Sequence, residues 1–222
     1  MQALLTTDGE EPCALRAELD RLEWIDSRLP VPQTLASAPR AGGGHMALLK
    51  YPVGKPASAP ENRVDPEQTT KLVARALRTV HRTATYELRF DNRLDMMLSA
   101  IATKVDSGHY DDTSFSGPYQ RYSAKRLLEM LLERKPREPN LVFGHGSFGL
   151  AAVLIDQGKF TGITDWGRSG LCDPYLDLAL AARSVVSVFG AELLPTFFSG
   201  YGVAHPDPLR LDYFALLAEF VA

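Results

Sequence analysis

The densest run of reactive side chains lies between residues 141 and 183. It opens with Leu-Val-Phe-Gly-His-Gly-Ser-Phe-Gly over 141–149, passes through Thr164-Asp165-Trp166-Gly167-Arg168, and closes on Asp173-Pro174 and Asp177. His145, Ser147 and Asp165 supply an imidazole, a hydroxyl and a carboxylate, the groups from which proton transfer or nucleophilic attack is built. Two known patterns overlap here. Gly144, Gly146 and Gly149 spell G-x-G-x-x-G, which cradles a dinucleotide only where a strand leads into a long helix. A hairpin pattern follows instead, and no acidic residue ends a second strand at suitable spacing. Residues 145–149 also fall one residue short of G-x-S-x-G, with Asp165 or Asp173 and then His205 in the hydrolase order. The first glycine is a histidine, no helix follows Ser147, and His205 sits in a Pro-rich turn. A serine hydrolase lacks its supporting elements.

Each of these residues also has a structural reading. His145 can hydrogen-bond backbone groups and hold its loop. Asp173-Pro174 is a helix start. Asp177 can brace the loop or cap a helix, and Asp165 can persist because Gly167 and Arg168 need a compact turn beside it.

The elements that must position them read as α+β. Residues 1–7 suggest a short strand. Leu15, Leu19, Leu22 and Ile25 fall at helical spacing over 13–25, with Pro12 in the first turn and Pro30 and Pro32 ending the run. Residues 39–44 read as a turn between two strands, the second over 45–51, and Pro52-Val53-Gly54 as a hinge. Asp65-Pro66 caps a helix through residue 82, and further helices are expected over 92–105 and 123–134, with a Gly/Pro-punctuated loop over 108–119 between them. Residues 141–143 suggest a buried strand, and 151–155 with 159–164 a hairpin around Asp156-Gln157-Gly158. Helices return from Pro174, broken near Gly190, Gly200 and Pro206. The division expected is a small unit over 1–54 and a helical unit over 55–222.

Composition narrows the function. With 222 residues, 45% hydrophobic and 23% charged, the chain is neither disordered nor membrane-spanning. A net charge of −3 excludes a large basic face, so no nucleic-acid partner is expected. Cys13 and Cys172 are too few for a disulfide framework or zinc cluster, and each reads as a small packed residue. No signal peptide or apolar span is read, so the expected location is cytoplasmic.

The order of these motifs resembles the aminoglycoside phosphotransferase (APH) family, above all its 3′-phosphotransferases. The stretch Ala-Leu-Arg-Ala-Glu-Leu-Asp-Arg-Leu-Glu-Trp-Ile followed by Leu-Pro-Val-Pro, then Arg-Phe-Asp-Asn-Arg-Leu, the His-Gly loop, Thr-Asp-Trp-Gly-Arg and the closing Leu-Leu-Ala-Glu-Phe stand in family order over nearly the whole chain. The resemblance implies a protein-kinase-like fold with a truncated N-terminal lobe and a mostly helical C-terminal lobe. It also implies departures. The family carboxylate after His-Gly is Ser147 here, its magnesium asparagine five residues later is Ala152, and its sheet lysine, thirteen residues before Glu18, is Leu5. Asp165 keeps the matching metal-ligand position. A serine cannot replace a carboxylate as proton acceptor at neutral pH. Phosphoryl transfer is positioning plus electrostatics, and each lost part removes orders of magnitude in rate. Effective kinase activity is therefore not expected, nor a bound nucleotide or metal. Glu219 matches a family substrate carboxylate, but its companion position is Ala218, and only Asp111 and Asp112 remain acidic in the middle loop. Polycationic ligands would be held poorly.

The chain also resembles the degenerate phosphotransferase homologues of thioamitide biosynthesis. That resemblance implies a cyclase joining a C-terminal enethiol of a modified precursor peptide to a dehydroamino acid, giving an aminovinyl-cysteine ring. The addition needs alignment, a thiolate and a proton donor, and no nucleotide. Asp165, His145 and Ser147 are the catalytic candidates. Lys50 or Arg168 would stabilise enolate charge. Trp166, Tyr119 and Glu219 would contact substrate, with Tyr110, Phe115 and Tyr122 as further aromatic wall or packing. His45 and His109 carry no motif, and His81 reads as structural. The alternative is a non-catalytic binding module for a peptide or partner enzyme, and a further alternative is an ATP-dependent aminoglycoside-type phosphotransferase. A second copy or a partner enzyme is expected to cover apolar surface left by the shortened lobe.

Overall fold

Apolar residues at i, i+4, i+7 and i+10 make helix α1 (Ala14–Ile25), and all four (Leu15, Leu19, Leu22, Ile25) are buried. In the computed structural model, which describes residues 2–7, 14–40, 43–137 and 140–221, this helix packs on a three-stranded antiparallel sheet. Its strands are β1 (Gln2–Thr7), β2 (Gln33–Pro39) and β3 (His45–Tyr51), in the order β1-β3-β2. Strand β3 alternates as a half-buried strand must, with Ala47 and Leu49 turned to the core and Leu48 outward. Cys13 and Pro12 lie outside the described residues.

The rest is mostly helical. The helices are α2 (Pro66–His81), α3 (Leu94–Asp106), α4 (Ala124–Glu133), α5 (Pro174–Phe189), α6 (Leu194–Tyr201) and α7 (Pro208–Val221). The starts follow capping chemistry. Asp65 Oδ1 accepts from Gln68 N at 2.9 Å ahead of Pro66, and Asp173 Oδ1 accepts from Tyr175 N at 2.9 Å ahead of Pro174. Strands β4 (Lys55–Pro56), β6 (Val153–Asp156) and β7 (Lys159–Ile163) form one small sheet, and β5 (Val142–Gly144) pairs with β8 (Gly170–Cys172). The β6–β7 turn puts Gln157 at φ +47° and Gly158 at φ +72°, two successive left-handed residues as a tight hairpin requires.

Two apolar clusters hold the molecule. One joins α1 and β3 to Val73, Leu77 and Val80 of α2, to Phe143, Phe148 and Trp166, and to Phe197 and Phe198 of α6. The expected division at residue 54 is thus bridged by one continuous core. The other joins α3, α4, α5 and α7 through Leu98, Leu127, Leu131, Leu176, Phe214 and Leu217. Each fully buried Leu or Phe contributes roughly 1.5–3 kcal/mol relative to exposure.

Three details differ from expectation. The run around Leu171-Cys172, to which the sequence assigns no strand, is strand β8, since three residues are too few to show a periodicity. The hinge is followed by the two-residue strand β4. Gly200 does not end a helix. It lies within α6, where an added Cβ would stand 3.0 Å from Ala74 Cβ of α2, and the break comes at Gly202, at φ +105°. No described helix is long and apolar enough to cross a membrane.

Two substitutions test this packing. Asp65→Ala should lower stability by about 1 kcal/mol through loss of the α2 cap. Gly200→Val should cost about 1–3 kcal/mol by forcing α6 off α2. Urea denaturation at neutral pH measures both, and unchanged midpoints would contradict these roles.

Candidate functional site

The site is built on one buried carboxylate. Asp177, in the first turn of α5, has no exposed surface. It accepts hydrogen bonds from His145 N at 2.6 Å, Gly146 N at 2.8 Å and His81 Nε2 at 3.0 Å, while His81 Nδ1 meets the Tyr201 hydroxyl at 2.8 Å. Burial alone would raise its pKa, but the hydrogen bond from His81 and the neighbouring imidazoles outweigh that and hold it below the usual aspartate value. The brace works because the loop is glycine at two contacts. A Cβ on Gly144 would run into Cys172 Sγ, and one on Gly146, at φ +82°, into the Arg168 carbonyl.

The loop presents His145 inward. Its ring is fully buried, with Nε2 at 2.8 Å from the Thr164 carbonyl and Nδ1 at 3.3 Å from Ser147 N. Burial lowers its pKa, favouring the neutral ring. Ser147 is half-buried, and its Oγ donates to Asp165 Oδ2 at 3.0 Å while lying 3.5 Å from His145 Nδ1. Asp165 stands at φ +66°, a left-handed conformation uncommon for a residue with a side chain. On the far side of this turn, Glu18 of α1 accepts from Trp166 N at 3.1 Å. Burial raises the Glu18 pKa and the charge of Asp165 adds to that, while the Trp166 N–H and Arg21 pull the other way.

The expected site residues therefore separate. His145, Ser147 and Asp165 come together as one cluster. Trp166 does not line a cleft. It is wholly buried, stacks on Phe143 at 5.9 Å between ring centres and donates Nε1 to the Ile163 carbonyl. Lys50 is half-buried in β3 and shares the parity of Leu48, while its neighbours Leu49 and Tyr51 take the other. Tyr51 is the β3 side chain that senses the cluster: burial raises its pKa, and the charges of Glu18 and Asp165 add to the rise. Arg168 is exposed and lines a separate cavity of about 410 Å³ with Arg21, Lys104 and Tyr110. Glu219 does share a cavity with Ser147, about 620 Å³ in volume, together with Ser114, Ser116 and Arg183. Yet Glu219 is committed. It accepts from Ser116 N at 2.7 Å, Ser116 Oγ at 2.9 Å and Arg183 Nη1 at 2.8 Å. Tyr119 lies further along with Glu219. Burial first, then the Asp212 charge, push its hydroxyl up to about 12. The remaining loop acids are equally engaged, Asp111 with Thr113 N at 2.9 Å and Asp112 with Ala124 N at 2.7 Å. Arg183 and Tyr51 escaped the sequence reading. Arg183 sits among apolar helix positions with no motif around it, though Asp177 lies six residues before it on the same helix.

Comparison with known proteins follows from this geometry. The model of the phosphotransferase enzyme family (APH) matches residues 6–214. The chain belongs to this family. An aminoglycoside 3′-phosphotransferase of Niallia circulans is 32% identical over 207 residues, covering 93% of this chain and 78% of that protein. One of Streptomyces ribosidificus is 30% identical, covering 93% and 80%. Among solved structures, an aminoglycoside-3′-phosphotransferase of type VIII superposes with a TM-score of 0.89 at 26% identity, covering 98% of this chain and 84% of that one. The kinase-like APH fold of mixed helix and sheet is thus established. The names of these three relatives speak of phosphotransferases.

The residues present do not fit the magnesium and nucleotide that this fold family implies. At the positions that the family resemblance gives to a phosphate-gripping cation and a metal-binding amide, Leu5 offers an apolar side chain that is 64% exposed and Ala152 a buried methyl group, neither of which supplies a charge or an oxygen. Asp165 accepts the Ser147 hydroxyl. Among the described residues no group of three or more His, Cys, Asp or Glu side chains is disposed to hold a metal ion.

Asp177→Ala should destabilise the protein by about 3–5 kcal/mol, since it orphans two buried N–H groups and His81 at once. Thermal or urea denaturation checks this, and a cost under 1 kcal/mol would deny Asp177 its bracing role. Glu18 gives a pH test. A carboxyl whose pKa is higher folded than unfolded holds its proton more tightly in the folded state, so its contribution falls as pH rises from the ordinary carboxylate value to the raised one. Glu18→Gln removes that loss. Its stability relative to wild type should rise with pH through that window, and a pH-independent difference would contradict the shift.

Proposed function

We propose that this family member holds an uncharged, peptide-like ligand in its cleft and does not transfer phosphate effectively. The observation that carries the reading is the Ser147–Asp165 hydrogen bond. The group beside an acceptor hydroxyl is itself a hydroxyl, and it occupies an oxygen of the one retained metal-ligand carboxylate. A neutral hydroxyl takes no proton from an acceptor near pH 7, and loss of a positioned base alone costs about 10²–10⁴ in rate. The neutralised Glu219 supports the ligand class, because a polycation meets no free carboxylate at that position.

In its catalytic form the same reading is ring closure on a modified peptide. The enethiol sulfur adds to the β-carbon of a dehydroamino acid, a carbon–sulfur bond forms, and the thiol proton ends on the α-carbon with no change of mass. In this reading Ser147 and Asp165 align the reacting groups and deliver the proton, and holding both ends in near-attack geometry lowers the barrier. His145 acts by orienting Ser147, since its own ring is buried.

A second reading, ATP-dependent transfer to an aminoglycoside-type hydroxyl, is favoured by kinship, with relatives of that name matching 93% of the chain. The comparisons support it more directly than they support ring closure. One assay separates the readings. The purified chain is incubated with radiolabelled ATP, magnesium and kanamycin, and in parallel with a dehydrated, decarboxylated peptide followed by thiol trapping. We expect transfer at least 10²-fold below the roughly 1–100 s⁻¹ typical of kinases. Turnover within that range would overturn the proposal in favour of the second reading. Loss of free thiol without mass change establishes the catalytic form, and Asp165→Ala should slow it.

A further inference from the structure

Two cavities meet at the Arg183–Glu219 ion pair. The first, about 620 Å³, contains Ser147. The second, about 450 Å³, opens between α5, α6 and α7 and is walled by Ala182, Val186, Phe198, Leu211, Ala215 and Tyr119. Ser116, Arg183 and Glu219 line both. The second cavity is apolar apart from its neck and its Tyr119–Asp212 edge, where Asp212 is ion-paired with Arg134, and nothing in the chemistry of Ser147 uses it.

The neck between them decides what can pass. Glu219 is 7% exposed at its side chain and already accepts three hydrogen bonds, so it offers little to an incoming ammonium group. Arg183 is 46% exposed at its side chain and spends only Nη1 on Glu219, leaving guanidinium donors that recognise carbonyl oxygen. The neck is therefore a neutral pair with spare donors, continuous with serine hydroxyls on one side and an apolar pocket on the other. Ser114, Ser184 and Ser187 add hydroxyls to the first cavity. Donors for carbonyls, lining carboxylates each paired with an arginine, and an apolar pocket of side-chain size together describe a peptide segment better than a polycation or a compact anion.

We propose that the second cavity is a side-chain pocket, and that it seats a bulky apolar residue of an uncharged peptide whose backbone crosses the Arg183–Glu219 pair toward Ser147. This deepens the binding reading above and names the chemistry that would select the ligand. It does not depend on which reaction, if any, occurs at Ser147.

The test uses the full chain and two defined probes, N-acetyl-seryl-leucine amide and N-acetyl-seryl-alanine amide, titrated to millimolar concentration under NMR detection. The leucyl probe should bind at least tenfold more tightly. Ala182→Trp, which fills the pocket from α5, should erase the preference. Ala215→Phe fills it from α7 and serves if the first variant does not fold, as judged by its thermal melt. Equal affinity for the two probes, no binding of either, or a leucyl preference surviving in a folded filled variant would overturn the pocket. Tighter binding of kanamycin than of the leucyl probe would overturn the ligand class. Phosphoryl transfer by the chain would leave the leucyl preference intact, so the two proposals fail separately.

Discussion

A single buried carboxylate organises the loop that carries the candidate site. Asp177 gathers two loop N–H groups and an imidazole into one point with no access to water. A charge so placed is costly unless it is hydrogen-bonded, and here α5 carries the carboxylate while its partners come from α2 and from the loop after β5. The glycines of the loop exist to let that approach happen. Everything nearer the surface, including the direction in which Ser147 points, inherits its position from this buried arrangement.

The scaffold and the groups it presents are separable. The scaffold matches the phosphotransferase relatives closely, with a TM-score of 0.89 to a type VIII enzyme. Ser147 and Ala152 stand where the family resemblance implies an acid and an amide, and Glu219 is tied to Arg183. A buried network such as that of Asp177 can hold the loop whichever side chains the loop presents.

Much of this was legible in the residues. Helices α1, α2, α4 and α5 announce themselves by apolar spacing and by Asp65, Ser123 and Asp173 at their starts. The loop was found by its own composition, and its family order pointed to Asp177 and Glu219. What escaped has a physical reason. A strand of two or three residues, such as β4 or β8, has no period to read. The inward parity of Tyr51 over Lys50 depends on where β3 places its register, which the adjacent Leu-Leu pair leaves ambiguous. Trp166 reads as a ligand contact because it neighbours Asp165, yet in a tight turn adjacent side chains diverge, and its ring goes to the core. Arg183 pairs across 36 residues, a distance no local pattern spans.

The attachment of α1 carries a mechanical consequence. Glu18 takes the Trp166 amide, Arg21 Nε reaches the Ser169 carbonyl at 2.8 Å, and Trp24 lies 4.8 Å from the Phe143 ring, so three successive turns of one helix are fastened to the opposite side. Separating α1 from that side would break all three contacts, so the small sheet that packs on this helix is anchored through it to the 166–169 turn.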